Sequence, residues 1–360
     1  MGVLMYACVK KTVEAYRMFS PQDKVLAAVS GGPDSVALLS ILKRFQGAFG
    51  LEIFVASFDH GIRKGSKHDV AFVRQLAGAM GYPFFTQRLK RKARHGRLSE
   101  DFLRRARYDF LMRVCAGTGA NVMALGHTRD DQAETVLMRL LRGSGLWGLT
   151  AVLPVRRQGA VKIVRPLIGV CRKDILKYLR KERLDYRTDE TNAQEVYLRN
   201  KIRLTLLPFL EKEFNANVRE VLVNTALSVG ADYDYLDRQA SDFLRHHSRT
   251  SAGRLLIAEG PLKALDIALR RVVWRTAISS VTGISGLIGF RHTSEMEDLL
   301  FGRPAGSEVH LPGGVIGSKA SRALSFFCRT TRPLPKNRMR IDGRRGWAPR
   351  PRHFQKKICF

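Results

Sequence analysis

The chain has 360 residues, 45% of them hydrophobic, which allows two or three domains and a sizeable core. Its 62 Lys and Arg against 32 Asp and Glu leave a net charge of +30, more than solubility needs, and favour a polyanionic partner, RNA or DNA, over a small metabolite. Cys8, Cys115, Cys171, Cys328 and Cys359 form no Cys-x-x-Cys pair, which argues against a disulfide framework, a zinc knuckle or a sulfur-relay dithiol. No segment approaches the ~20 apolar residues that cross a bilayer. A cytoplasmic protein with reduced thiols and no membrane association is the expectation.

The first predicted strand, Val25-Leu26-Ala27-Ala28-Val29, runs into Ser30-Gly31-Gly32-Pro33-Asp34-Ser35 and then into the helix-like Val36-Ala37-Leu38-Leu39. Such a turn presents unpaired backbone N–H groups and the positive end of a helix dipole, and its glycines let phosphate oxygens approach. No Lys follows until Lys43, so this is not the loop of a γ-phosphate transferase. Glu52–Phe58 predicts a second, buried strand ending in Asp59-His60-Gly61-Ile62-Arg63. Open α/β sheets bind ligands beyond the carboxyl ends of their strands, so both strand tips should face one crevice.

Helical stretches around 67–80 and 99–116 flank a short predicted strand at 83–87, and Asn121–Leu125 makes another. The βα alternation predicts an α/β fold with a doubly wound, mostly parallel sheet. The last of these strands leads into Gly126-His127-Thr128-Arg129-Asp130-Asp131-Gln132-Ala133-Glu134-Thr135, a glycine turn opening a helix. On that helix Asp131 and Glu134 share a face, and two carboxylates beside a triphosphate suit Mg²⁺.

The Ser-Gly-Gly-x-Asp-Ser pattern resembles the loop of the ATP pyrophosphatase (PP-loop) superfamily. Several further motifs follow in order: Asp59-His60-Gly61, Gly126–Thr135, Arg142-Gly143-Ser144-Gly145, Gly148-Leu149, Arg165-Pro166-Leu167, Asp189-Glu190-Thr191-Asn192, Leu198–Arg203 and Leu207-Pro208. Together they resemble the tRNA(Ile)-lysidine synthetases over about residues 22–215. Leu311-Pro312-Gly313-Gly314 resembles a motif of that family's second domain.

The resemblance implies a ligase that uses ATP and Mg²⁺ to adenylate C2 of the wobble cytidine in a tRNA(Ile) with a CAU anticodon. L-lysine then attacks that carbon, giving lysidine, AMP and pyrophosphate. Carried over residue by residue, it implies ATP binding at Ser30, Gly31, Gly32, Pro33, Asp34, Ser35, Asp59, His60, Gly126 and His127. Asp34, Asp131, Glu134 and Arg199 would be catalytic, with Mg²⁺ at Asp34 and Asp131. Arg104, Arg107 and Arg203 would contact the tRNA or nucleotide. Whether the acidic pair holds metal, orients the lysine amine or supplies a general base stays open, and both histidines have structural alternatives as hydrogen-bond partners.

Residues 1–215 are expected to form the catalytic domain, followed by a linker near Glu211–Asn217. A helical tRNA-binding domain over 216–330 and a basic tail over 331–360, with ten Lys or Arg against Asp342 alone, complete the expected organisation. The motifs are compatible with a homodimer without announcing one. Rival readings are a tRNA 2-thiolase, which normally needs paired cysteines, a metabolite enzyme such as a GMP synthetase, and a catalytically dead RNA-binding module.

Overall fold

The computed structural model describes residues 2–61, 65–89, 99–187, 198–284 and 286–328. Ile62-Arg63, the Asp189–Asn192 motif and the basic tail lie outside the described residues. Among the described residues the chain divides into two compact units, one holding the residues up to Thr135 and Val152–Val223, the other Val136–Ala151 and Asn224 to Cys328. The breaks after Thr135 and Ala151 fall inside the stretch expected to form one catalytic domain, and the break after Val223 falls inside a long helix, beyond the expected linker.

In the first unit, helix α1 (Gly2–Ala15) precedes β1 (Lys24–Ala28), α2 (Pro33–Phe49), β2 (Glu52–Asp59), α3 (Ser66–Ala79), β3 (Phe84–Arg88), α4 (Glu100–Thr118) and β4 (Val122–Ala124). Then come α5 (Arg129–Leu141), whose part from Val136 belongs to the second unit together with α6 (Leu146–Leu149), and, in the first unit again, β5 (Val155–Gln158), β6 (Val161–Val164) and α7 (Arg172–Lys181). The strand order is β3-β2-β1-β4-β6-β5, parallel throughout except for β5, which pairs antiparallel with β6 at the edge. The expected parallel sheet is present; α1 and the β5–β6 hairpin are additions.

Side chains alternate across this sheet with the strand period of two, and both faces are covered. Val25, Ala27, Ile53 and Val55 face a core shared with α1, α2, α3 and α7. Leu26, Phe54, Ala56 and Met123 face a second core under α4. Local chemistry sets the helix ends: the Ser99 hydroxyl accepts from Phe102 N–H at 3.2 Å to start α4, and Gly119 at φ 71° ends it.

The unit closes with α8 (Leu198–Lys201), a π-helical turn at Ile202–Leu206 and α9 (Leu207–Glu213). Pro208 sits in the first turn of α9, where its missing N–H costs least, and the widened turn directly precedes it.

Residues 214–217 lead to α10 (Val218–His247). The second unit continues with β7 (Ser248–Ser251), β8 (Arg254–Ala258), α11 (Glu259–Lys263), α12 (Ile267–Thr282), α13 (Phe290–Phe301), β9 (Glu308–Leu311), β10 (Val315–Lys319) and β11 (Ala323–Cys328). The expected helices are present, joined by an antiparallel sheet of order β7-β8-β11-β10-β9 that the sequence reading did not include. Trp274, fully buried, and Phe326 anchor its core. The Trp274 indole donates to Glu297, which also binds the buried Arg270 guanidinium at 2.7 Å. No described helix is long and apolar enough to cross a membrane.

Candidate active site

The turn after β1 is braced from within. The Ser35 hydroxyl accepts from Ser30 N–H at 3.1 Å, lies 3.3 Å from the Ser30 hydroxyl and donates to Gly32 O at 2.8 Å. Gly31 has φ +86°, which an L side chain adopts only with strain, and its carbonyl accepts from Arg187 N–H at 2.8 Å. Pro33 opens α2 with its fixed φ, directing the N-terminus of that helix at the turn.

Asp34 therefore stands in the first turn of α2, at the tip of β1. The tip of β4 abuts it: a methyl group on Gly126 would lie 3.2 Å from Asp34 O. One oxygen of the Asp34 carboxylate pairs with Arg172 at 3.3 Å, while the other, Oδ1, is buried with no partner among the described residues. Burial pushes the acid up to about 6, helped by the nearby charges of Asp131 and Asp130 and opposed by Arg172 and Arg203.

Four charged side chains interlock beside it. Arg199 bridges Asp131 at 2.7 Å and Glu134 at 2.8 Å, and Arg203 holds Glu134 at 2.5 Å and Asp131 at 3.5 Å. The other Asp131 oxygen accepts from the Thr128 N–H at 2.8 Å and the Thr128 hydroxyl at 3.1 Å. Burial raises Asp131, but Arg199 above all, with the Thr128 N–H and Arg203, outweighs it and holds the acid below its ordinary value. Glu134 is only 1% exposed, so its two guanidinium partners are what keep a carboxylate there tolerable.

The histidines differ. His127 is half-buried, and its Nδ1 accepts from Arg165 Nε at 3.1 Å; lost hydration first, then Arg165, hold it far below its usual value. The ring is thus a neutral imidazole carrying its proton on Nε2. His60 is lowered to about 4 by burial and by Arg107, and its Nδ1 has no described partner. Asp59 accepts from Gly61 N–H at 2.7 Å and lies 3.5 Å from Arg88, so it braces its own turn.

Arg104 and Arg107 project from α4 onto Tyr108, 5.8 and 5.9 Å from its ring centre, and Arg107 also influences both histidines. The candidate residues therefore meet at the tips of β1, β2 and β4, with Arg199 and Arg203 reaching in from the segment after α7. Sequence reasoning missed Arg172, which pairs with Asp34, and Asp130, which accepts from Arg172 N–H at 2.7 Å and pairs with Arg219 at 3.3 Å. It also assigned no role to Arg165, although Arg165-Pro166-Leu167 was singled out; an Arg inside an otherwise apolar run was the available signal.

Asp34 fits a cation, since a buried carboxylate oxygen without a donor calls for one. Asp131 has all its described acceptor positions engaged, so Mg²⁺ there would require an arginine to let go. Among the described residues no cluster of three or more His, Cys, Asp or Glu is poised for a metal. Any ion at Asp34 would need oxygens from elsewhere, such as a triphosphate.

A glycine turn feeding a helix N-terminus at the centre of a parallel sheet, with a buried carboxylate in its first turn, makes the first unit a nucleotide-binding domain of PP-loop type. The PP-loop domain family matches residues 5–210. Curated relatives include the tRNA(Ile)-lysidine synthase of Symbiobacterium thermophilum, 40% identical over 85% of this chain and 66% of that protein. That of Geobacter sulfurreducens is 36% identical over 94% of this chain and 73% of its own length. The chain thus spans about two thirds of the length of the relatives it matches. A U34-tRNA thiolase from Methanococcus maripaludis, 18% identical with a TM-score of 0.54 over 62% of this chain and 77% of that one, shares the fold. The chain belongs to the tRNA(Ile)-lysidine synthase family.

Proposed function

We propose that the chain is an ATP-dependent ligase that adenylates the C2 oxygen of the wobble cytidine in a CAU-anticodon isoleucine tRNA, releasing pyrophosphate, and lets an amine of L-lysine displace that oxygen from C2 as AMP. The observation carrying this reading is the meeting of two unlike sites at adjacent strand tips: a braced phosphate cradle with an unsatisfied carboxylate at Asp34, and the acidic pair Asp131–Glu134 under two arginines.

In this reading the N–H groups around Ser30–Ser35 and the dipole of α2 hold the β and γ phosphates. Asp34 would hold Mg²⁺ together with the triphosphate; the ion would neutralise charge as pyrophosphate leaves. Neutral His127 offers its Nε2 proton as a hydrogen-bond donor without adding charge. Adenylation makes the cytosine oxygen a leaving group, so that an amine can displace it at carbon.

Lysine arrives as a dication with a carboxylate. Asp131, held ionised, attracts an ammonium and is a weak proton acceptor, so it serves orientation better than base catalysis. An entering ammonium competes with Arg199 and Arg203 for the same oxygens. Arginines displaced from the acids are then free to meet the negative charge on the AMP leaving group. Arg104 and Arg107 would contact the RNA or nucleotide. The net charge of +30 suits a tRNA partner, and the reading places the protein in the cytoplasm.

The test is incorporation of labelled L-lysine into transcribed tRNA(Ile) with a CAU anticodon, with ATP and Mg²⁺, using elongator methionine tRNA as control. Label on the isoleucine tRNA alone is the expected result. AMP release without lysine incorporation would overturn the second step, and no AMP would overturn the ligase reading.

A further inference from the structure

Four guanidiniums gather around one phenol, that of Tyr108. Arg104, Arg107 and Arg156 lie 5.8, 5.9 and 6.0 Å from the Tyr108 ring centre, and Arg165 shares a hydrogen bond with the Tyr108 side chain. The cluster is graded in depth. Arg165, 4% exposed, forms the floor; Arg107 and Arg156 are half-buried; Arg104 stands exposed at the rim.

Like charges gather at a cost unless something negative offsets them. No carboxylate stands among the described partners of Arg104, Arg156 or Arg165. Arg165 donates to His127 and to Leu153 O at 2.6 Å, and Arg156 donates only to the Gln158 amide oxygen at 2.7 Å. The Arg156 Nε–H is buried with no acceptor. Burial raises the Tyr108 phenol, but the four cations outweigh it and hold it below its ordinary value. Arg199 and Arg203 are neutralised by the acids they touch; Arg104, Arg156 and Arg165 have no such acid among the described residues.

We infer that Arg156, Arg165 and Tyr108, with Arg104 at the rim, form a phosphate receptor whose occupant is a backbone phosphodiester of the RNA segment presented for modification. This rests on the RNA-ligase reading. Guanidinium forks and a phenolic hydroxyl suit tetrahedral phosphate oxygens. The nucleotide's own phosphates have a cradle at the tip of β1, whereas this receptor lies over β5, the end of β6 and α4, with β4 between β1 and β6 in the sheet. A funnel that opens through an exposed arginine accepts a polymer running past. Clamping one phosphate fixes where the adjoining base can reach, which is how backbone contacts position a base that other groups read.

The test uses the full chain and a CAU anticodon stem-loop RNA, comparing wild type with Arg156→Gln and Arg156→Lys. Melting curves check that each variant is folded. Arg156→Gln should weaken RNA binding about tenfold. It should also flatten the slope of log affinity against log salt by about 0.7, the value for one single-strand phosphate contact. Arg156→Lys should restore the slope, and ATP affinity should not move. In a scan of single methylphosphonate linkages, one linkage should weaken binding to wild type and have no further effect on Arg156→Gln.

A change in ATP affinity with RNA affinity intact would assign the receptor to nucleotide phosphate and overturn the inference. So would unchanged binding of both, or additive losses at every linkage. If wild type itself fails to bind the RNA, the ligase reading falls first, and the comparison among variants is not what fails.

Discussion

Asp34 should destabilise the protein that it equips for function. Its carboxyl titrates near 6 in the fold against an ordinary 3.8, because burial outweighs the Arg172 pair. The folded value lies above the unfolded one, so the fold favours the neutral acid; that contribution is fully present below about pH 4 and is lost as pH rises through 6. At about 1.4 kcal/mol per pH unit, ionised Asp34 costs about 3 kcal/mol at pH 8, about half that at pH 5 and little at pH 4. Asn mimics the neutral acid in shape and charge. Asp34→Asn should therefore stabilise the ligand-free first unit by up to that amount at pH 8, with the gain shrinking as pH falls, while abolishing ATP-dependent adenylation. Tryptophan fluorescence would not single out the first unit, since Trp147 and Trp274 belong to the second and Trp347 lies outside the described residues. Hydrogen–deuterium exchange of the peptide containing β1, at matched pH for both proteins, reads the right one. A stability difference that is absent at pH 8, or that does not change between pH 8 and pH 4, would refute the claim that Asp34 is held ionised at a cost.

Glu134→Gln should leave Arg199 and Arg203 poorly compensated around a side chain that is 1% exposed, costing about 3–5 kcal/mol and abolishing lysine incorporation; urea denaturation followed by far-UV circular dichroism checks the first. Arg203→Lys keeps the charge but loses the two-nitrogen grip on Glu134 at 2.5 and 3.0 Å, so it should lower kcat for lysidine formation more than it raises KM for ATP. Gly126→Ala should raise KM for ATP with little loss of stability. Its methyl group would crowd Asp34 O at 3.2 Å and push the cradle by a few tenths of an ångström; unchanged nucleotide kinetics would show that the two strand tips do not share a site. Affinity for tRNA should fall steeply between low and moderate salt, as a filter-binding titration reads directly, and a flat response would remove the inference drawn from the net charge of +30.

The sequence foretold the cradle because its chemistry is local. Ser30–Ser35, the strand before it and the helix after it are contiguous, and each residue's part follows from its neighbours. The parallel sheet was legible for the same reason, through apolar runs spaced by helical stretches. The second unit's sheet was not. Its strands are short, and β7, Ser248–Ser251, is polar. A local clue did exist: Gly313 and Gly314, at φ 81° and 75°, turn the chain between β9 and β10, yet Leu311-Pro312-Gly313-Gly314 was read as a family motif and not as a hairpin. The π-helical turn before Pro208 was equally hidden, since periodicity of 3.6 over so few residues cannot reveal one inserted residue.

Charge was the least local property and the one composition treated most coarsely. A surplus of +30 says that a polyanion is wanted but not which cations want it. In the folded chain the arginines divide by partner. Arg199 and Arg203 are matched by acids 65 to 72 positions away, and Arg172 by one 138 away, so within the apo protein they add little positive field. Arg156 and Arg165, from β5 and the end of β6, meet Arg104 and Arg107 of α4 across a tyrosine, and Arg104, Arg156 and Arg165 have no acid among their described partners. Two kinds of site follow from one residue type. On the proposed ligase reading, a cationic substrate would displace the arginines that cover carboxylates and so release them to stabilise a leaving anion. Around the phenol, Arg104, Arg156 and Arg165 find no acid among the described residues, and the balancing anion we infer is an RNA phosphate. Asp131→Asn should accordingly weaken binding of lysine, and Arg156→Gln that of RNA, with neither reproducing the other's defect.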